Sequence, residues 1–154
     1  MPATKLKEYL DSRGVEYVTI LHPPAYTAPE AAASSHVTGR GFAKTVIVHM
    51  NDKLAMVVVP ANRKIVLSDL REMLDTHDVR LATEDEFKDR FPDCEIGAMP
   101  PFGNLYGLPV YISHELANEP QITFNACTHN ESIKMSFADF ANLTKPVILD
   151  FITS

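Results

Sequence analysis

Two apolar runs, 42–48 and 54–59, lie on either side of Asn51-Asp52. That pattern predicts a hairpin of two long strands joined by a short turn at the centre of a sheet. Upstream, Leu6, Tyr9 and Leu10 recur at helical spacing after Thr4, and Gly14 suits a helix end, so a first helix precedes a strand over 15–21. Thr27-Ala28-Pro29-Glu30 has the arrangement of a helix start, with Thr27 as the cap, Pro29 in the first turn and Glu30 at the third position. A short Ala-rich helix running to about Ser35 follows from it. Ser68 and Thr83, the latter with Glu86 at the box position, predict two further helix starts around a short strand at 79–81. Strands are expected at 108–112, 121–125 and 132–135, then a short helix from Ser136 and a last apolar run at 147–152. Helices and strands mix without a regular βαβ rhythm. The prediction is therefore one compact α+β domain over 1–154, a mixed, strongly curved, barrel-like sheet flanked by short helices.

A chain of 154 residues can bury a core of that kind without staples. Cys94 and Cys127 belong to no metal-ligand or CxxC spacing and read as ordinary free thiols. No signal-peptide pattern opens the chain and no apolar stretch is long enough for a bilayer, so a soluble, cytoplasmic protein with no membrane contact is expected. The net charge of −6 argues against general nucleic-acid binding. Its distribution changes the picture: residues 1–68 carry eight Lys/Arg against five Asp/Glu, while 69–95 carry four against ten. In the basic part, Arg40, Lys53, Arg63 and Lys64 could meet a few phosphates, or could simply be a solvated face.

Lys44 is the residue that the pattern explains least. Alternation along its strand puts it on the face of Phe42, Val46 and Val48, and an ammonium buried there needs a partner or has its pKa drawn down. It is either a ligand-binding cation or a strand lysine whose stem lies on apolar surface while its head reaches water. The loop Gly97-Ala98-Met99-Pro100-Pro101-Phe102-Gly103-Asn104 is the second candidate. Its prolines restrict the chain and its glycines let backbone N–H groups approach a ligand, although a tight turn plugged by Phe102 would read the same way. Asn125 and His129 sit at a strand-to-turn junction and could be turn residues or ligand contacts; His22 and His49 have no evident partner and read as structural. No HExxH, GxSxG, Walker or GxGxxG pattern occurs, so neither metal, cofactor nor serine-hydrolase chemistry is indicated.

The Lys44 strand, GAMPPFG and NACTH, together with the early HPPAYTAPEAA, resemble the YbaK and prolyl-tRNA-synthetase-associated editing domain family along nearly the whole chain. Within it the chain looks most like freestanding trans-editing proteins that deacylate mischarged tRNA, particularly those removing alanine or a similarly small amino acid from proline tRNA. The resemblance implies that Lys44 positions the ester and the tRNA end, and that Gly97 and Pro100, with Pro101, Phe102 and Gly103, form the loop beside the ester carbonyl. It further implies that Tyr26 and Thr27 line the amino-acid pocket, and His129 matches a histidine seen in several branches; Asn125 and His129 stand as candidate substrate-binding residues. Water would attack an already activated ester, assisted by the adjacent ribose hydroxyl, with no covalent nucleophile and no cofactor. The implied partners are mischarged tRNA and, transiently, prolyl-tRNA synthetase, for a monomer or weak dimer. NACTH stands where other branches carry glycine-rich or acidic residues, so their side-chain selectivity does not transfer. Two other functions remain open: a non-catalytic regulator of the same fold that binds a tRNA end or nucleotide, and a small-molecule hydrolase that does not act on RNA.

Overall fold

The computed structural model describes residues 4–150. Its helices are α1 (Thr4–Ser12), α2 (Ala28–Ser34), α3 (Leu67–Met73), α4 (Glu84–Phe87), α5 (His114–Ala117) and α6 (Phe137–Thr144). The strands are β1 (Tyr17–Leu21), β2 (Phe42–Met50), β3 (Lys53–Pro60), β4 (Val79–Leu81), β5 (Val110–Ser113), β6 (Gln121–Asn125), β7 (Glu131–Ser136) and β8 (Val147–Leu149). They form one mixed, curved sheet in the order β1-β7-β6-β2-β3-β5-β8, with β4 paired to β2. The sheet is not closed, and β1 and β8 are the two ends of that order.

Local chemistry accounts for most of the boundaries. Asn51 and Asp52 both have positive φ, 50° and 65°, the conformation that a two-residue hairpin turn demands. Thr27 accepts the N–H of Glu30 at 3.3 Å and donates its hydroxyl to the Glu30 carboxylate at 2.8 Å. At the start of α4, the N–H of Thr83 donates to Glu86 at 2.9 Å, and Ser136 caps α6 by accepting the N–H of Asp139 at 3.1 Å.

Several expectations need correction. α3 begins before Ser68, with Val66 at its cap, so Ser68 lies inside the helix. β1 begins at Tyr17 because the N–H of Val15 closes the preceding helix on the carbonyl of Leu10. β5 begins at Val110, because Pro109 has no N–H for a ladder and the N–H of Leu108 turns back to Gly103. α5 was not expected. His22 does have partners: its Nδ1 donates to the carbonyl of Pro23 at 2.8 Å and its Nε2 pairs with Ser132 Oγ at 3.0 Å, which in turn meets Ser35 Oγ at 2.8 Å. This buried chain ties the end of α2 to β7. Cys94 and Cys127 are not free thiols but are bonded to each other. The last two residues of the 147–152 run lie outside the described residues.

Apolar side chains cover both faces of β2. The main core includes Ala43 and Ile47 with Leu6, Leu10, Phe102, Phe124 and Phe140. The opposite face is divided: Val48 joins a cluster with Val57, Val59 and Leu70, while Phe42 packs against Ala25, Ala31, Ala32 and Ala61. Lys44 belongs to this second face, between the two clusters. Small side chains let α2 lie close on Phe42, which brings the segment before it over the middle of β2.

Candidate active site

The site begins as a gap in the sheet. One edge of β2 pairs along its length with β3; the other edge is shared by two strands, with β6 opposite Phe42 and Ala43 and β4 opposite Val48 to Met50. Residues 44–47 have no strand beside them on that edge. The carbonyl of Gly41 accepts from Thr123 and that of Ile47 accepts from Ala82, so by alternation the N–H and C=O of Thr45 also face the gap. A cleft of about 360 Å³ fills it, within the usual range for small-ligand sites.

One wall is β2 itself, with Lys44, Thr45, Val46 and Ile47. Lys44 is half-buried and donates to the carbonyl of Arg63 at 2.6 Å. Desolvation, and secondly the nearby Lys64 charge, hold its pKa below that of an ordinary lysine. The ammonium is thus neither lost in the core nor freely solvated. Because an ammonium carries three donors, two remain for a ligand. Thr45 Oγ1 and Asn125 Oδ1 are buried without a hydrogen-bond partner, although both residues line the cleft. Such an orphaned oxygen costs about 1–3 kcal/mol, and two at one site call for an explanation in function.

The facing wall is the loop that carries Gly97. Gly97 is exposed, has a φ of +88°, and directs its N–H to the sulfur of Met99 at 3.3 Å. Sulfur is a weak acceptor, so a ligand oxygen could take its place. The next N–H, of Ala98, is held by the carbonyl of Glu95. His129 braces this loop: its backbone N–H donates to Glu95 at 2.8 Å and its Nε2 donates to the carbonyl of Ile96 at 2.9 Å. Its ring also stacks obliquely on Tyr26, with centroids 4.9 Å apart. Tyr26 is 73% exposed and with Leu81 and Ile96 makes an apolar rim; Glu84 and Phe87 complete the far side.

The structure thus brings Lys44, Gly97, Tyr26 and Asn125 to one cleft, with His129 behind the loop. Thr27 is adjacent, its hydroxyl committed to capping α2. Pro100, Pro101, Phe102 and Gly103 are buried and do not line the cleft. Phe102 packs on Phe124 and Phe140, so these residues anchor the loop from below. Arg63 and Lys64 lie beside Lys44, with Arg63 paired to Glu115 at 3.2 Å, and Arg40 pairs with Glu119 at 3.6 Å. Lys53, opposite Met50 in the hairpin, is six residues along β2 from Lys44, roughly 20 Å at the rise of a strand. Three larger grooves, near Tyr17, near the hairpin and near Ser68, contain none of Lys44, Gly97 or Asn125. Thr45 and Met99 were not singled out from sequence; a lone polar residue inside an apolar strand was the available signal for Thr45. Among the described residues one group of metal-ligand type converges, Asp93, Cys94 and Cys127, but the sulfurs are bonded to each other. No described helix is long and apolar enough to cross a membrane.

The class of protein defined here is an α+β domain with a split sheet and a cleft lined by a half-buried lysine and a glycine loop. The chain belongs to the aminoacyl-tRNA editing domain family, whose sequence pattern matches residues 22–143. The fold is shared with a solved candidate trans-editing enzyme for prolyl tRNA synthetase, at 21% identity and a TM-score of 0.81 over 97% of this chain and 96% of that one. A hypothetical protein, APE2540, is similar at 22% identity and a TM-score of 0.85, covering 97% and 99% of the two chains. A candidate signal transduction protein from Marinobacter aquaeolei VT8 matches at 14% identity and a TM-score of 0.76, over 96% of this chain and 30% of that one. No curated protein is similar enough in sequence to register as a relative.

Proposed function

We propose that the domain hydrolyses the ester of a mischarged aminoacyl-tRNA, with a small, alanine-like amino acid on proline tRNA as its substrate. The observation that carries this reading is the gap beside residues 44–47, where Lys44 and the Gly97 loop line one cleft of about 360 Å³. The ester carbonyl displaces the Met99 sulfur from the Gly97 N–H, which then stabilises the oxyanion as water attacks. Lys44, steadied by the carbonyl of Arg63, turns its remaining donors to the terminal ribose and phosphate. The neighbouring ribose hydroxyl assists the water. His129 keeps the Ile96 carbonyl in place, and Pro100 to Gly103 fix the loop from the core. No side-chain nucleophile is needed, because the ester is already activated and positioning supplies much of the rate.

Proline tRNA is favoured by the fold shared with the candidate trans-editing enzyme for prolyl tRNA synthetase, and a small side chain by the size of a cleft that must also hold ribose. One methylene is worth about 1–3 kcal/mol of discrimination, enough for a sieve that admits alanine and excludes proline. Prolyl-tRNA synthetase is the implied transient partner, and we assign the acceptor end to Arg63, whose carbonyl meets Lys44, and to Lys64, whose charge acts on Lys44. The test is release of each amino acid from a panel of mischarged tRNAs. Alanine freed fastest from proline tRNA is the expected result; release of none sinks the reading in favour of a binding module.

A further inference from the structure

We propose that Cys94 and Cys127 form a reversible thiol–disulfide exchange site, reacting with small or protein dithiols and disulfides, that sets the position of the Gly97 loop. The two residues are 33 apart in sequence with Cα atoms 4.2 Å apart, inside the roughly 7 Å beyond which two cysteines cannot be bridged. Each lies in a segment that the site uses. Cys94 opens the loop that runs through Gly97; Cys127 is two residues from Asn125 and two from His129. The segments are also tied by the N–H of Cys127 to the carbonyl of Ala98 at 2.9 Å and the N–H of Glu95 to the carbonyl of Cys127 at 2.8 Å. The sulfur pair is therefore the covalent member of a clamp between the Gly97 loop and the turn that carries His129.

Access differs between the two. Cys127 is fully buried, while Cys94 is half-buried, so Cys94 is the more accessible of the two residues and the one at which exchange begins. Reduction starts when a thiolate of a dithiol attacks Cys94 Sγ; the S–S bond breaks and Cys127 leaves as a thiolate that takes up a proton. The reagent's second thiolate then attacks its own sulfur in the mixed disulfide, freeing Cys94, which takes the second proton, while the reagent departs as a disulfide. Two electrons and two protons pass to the protein, and a disulfide reagent reverses the sequence. Tyr106 supports the closed state: its hydroxyl donates to Asp93 at 3.1 Å and stands 3.5 Å from Cys94 Sγ.

Two unbonded sulfurs must separate by more than about 1 Å relative to a bonded pair, and a shift of that size next to a reacting centre can change a rate up to about a hundredfold. The experiment poises the intact protein in oxidised and reduced dithiothreitol at several ratios, counts alkylated thiols by mass, and follows amide hydrogen exchange over 94–98. The expected result is a two-electron transition from no alkylated thiol to two. Exchange over 94–98 should be at least about tenfold faster in the reduced form. Saturated deacylation, which rests on the function proposed above, should be at least about tenfold slower in the reduced form. Cys94→Ser and Cys127→Ala should both sit at the reduced values whatever the poise. Two alkylated thiols at every ratio, or exchange that is the same in both forms, overturns the proposal. Neither readout needs a substrate, so its failure is distinct from failure of the deacylase reading.

Discussion

Replacing Gly97 by Ala tests the proposed oxyanion role directly, because the structure separates its effect on folding from its effect on chemistry. A Cβ at Gly97 would meet nothing closer than His129 Cε1 at 3.4 Å, an ordinary contact. The penalty is therefore conformational: at φ +88° a side chain costs about 1–2 kcal/mol, which a domain stable by roughly 5–15 kcal/mol survives. The backbone relieves that strain by rotating, which swings the Gly97 N–H away from the ester. Loss of one oxyanion donor lowers turnover by about a hundredfold to a thousandfold. Gly103→Ala is the structural contrast, since its Cβ would run into the carbonyl of Leu108 and lie 2.7 Å from Val110 Cγ2, which should destabilise the whole fold. The assay is single-turnover deacylation at saturating charged tRNA, with the melting transition of each variant as the control for folding. A folded Gly97→Ala protein that weakens substrate binding yet hydrolyses at the normal saturated rate would refute the reasoning, and the loop would be a binding surface.

Lys44→Met should lower saturated deacylation by about ten- to a hundredfold, the worth of a charge-assisted hydrogen bond, without lowering the melting temperature at pH 7. The stability sign follows from the lowered pKa of Lys44: the folded state holds that proton less tightly, so wild-type stability rises between the folded pKa and 10.5, and Lys44→Met lacks this rise. Glu86→Gln should destabilise at neutral pH, because the Arg80 fork first, and then the Thr83 N–H, pull the Glu86 pKa from 4.5 to about 2. That contribution is complete above pH 4.5 and fades toward pH 2, so melting curves of the two proteins should converge on acidification. Neutralising Lys64 should raise KM for charged tRNA and flatten its salt dependence while leaving saturated turnover unchanged; an unchanged salt slope counts against phosphate contact.

How much of this was legible depends on the range over which each feature is decided. Thr27, Asn51-Asp52, Thr83 with Glu86, and Ser136 act through bonds to residues within a few positions, and the structure has helix starts or the hairpin turn there. Ser68 failed because nothing in its own side chain distinguishes a cap from a first-turn residue; the chain enters α3 from Val66. Lys44 was correctly placed on the face of Phe42 and Val48, yet its half-burial could not be read, because that face is split between two clusters assembled from distant segments. The Cys94–Cys127 pair and the gap beside β2 have the same origin. The gap exists only because β6 and β4, far apart in sequence, stop short of each other on one edge. No local pattern encodes that meeting.

The charges around the gap lead to the last prediction. The β2 wall contributes Lys44, with Lys64 close by, and the far side contributes Glu84 at the head of α4. A cleft with a cation on one side and a carboxylate on the other suits a ligand that carries both signs, and opposite charges in a partly desolvated cleft attract more strongly than in water. The end of an aminoacyl-tRNA is such a ligand, with its phosphate negative and its α-ammonium positive. An uncharged tRNA end keeps only the phosphate. Charged tRNA should therefore bind more tightly than uncharged tRNA, and Glu84→Gln should narrow that difference from the charged side, raising its Kd while leaving uncharged tRNA as before. Direct titration with a non-hydrolysable aminoacyl-tRNA analogue and with uncharged tRNA measures both constants. Equal loss for both ligands would show that Glu84 shapes the wall and does not meet the ammonium.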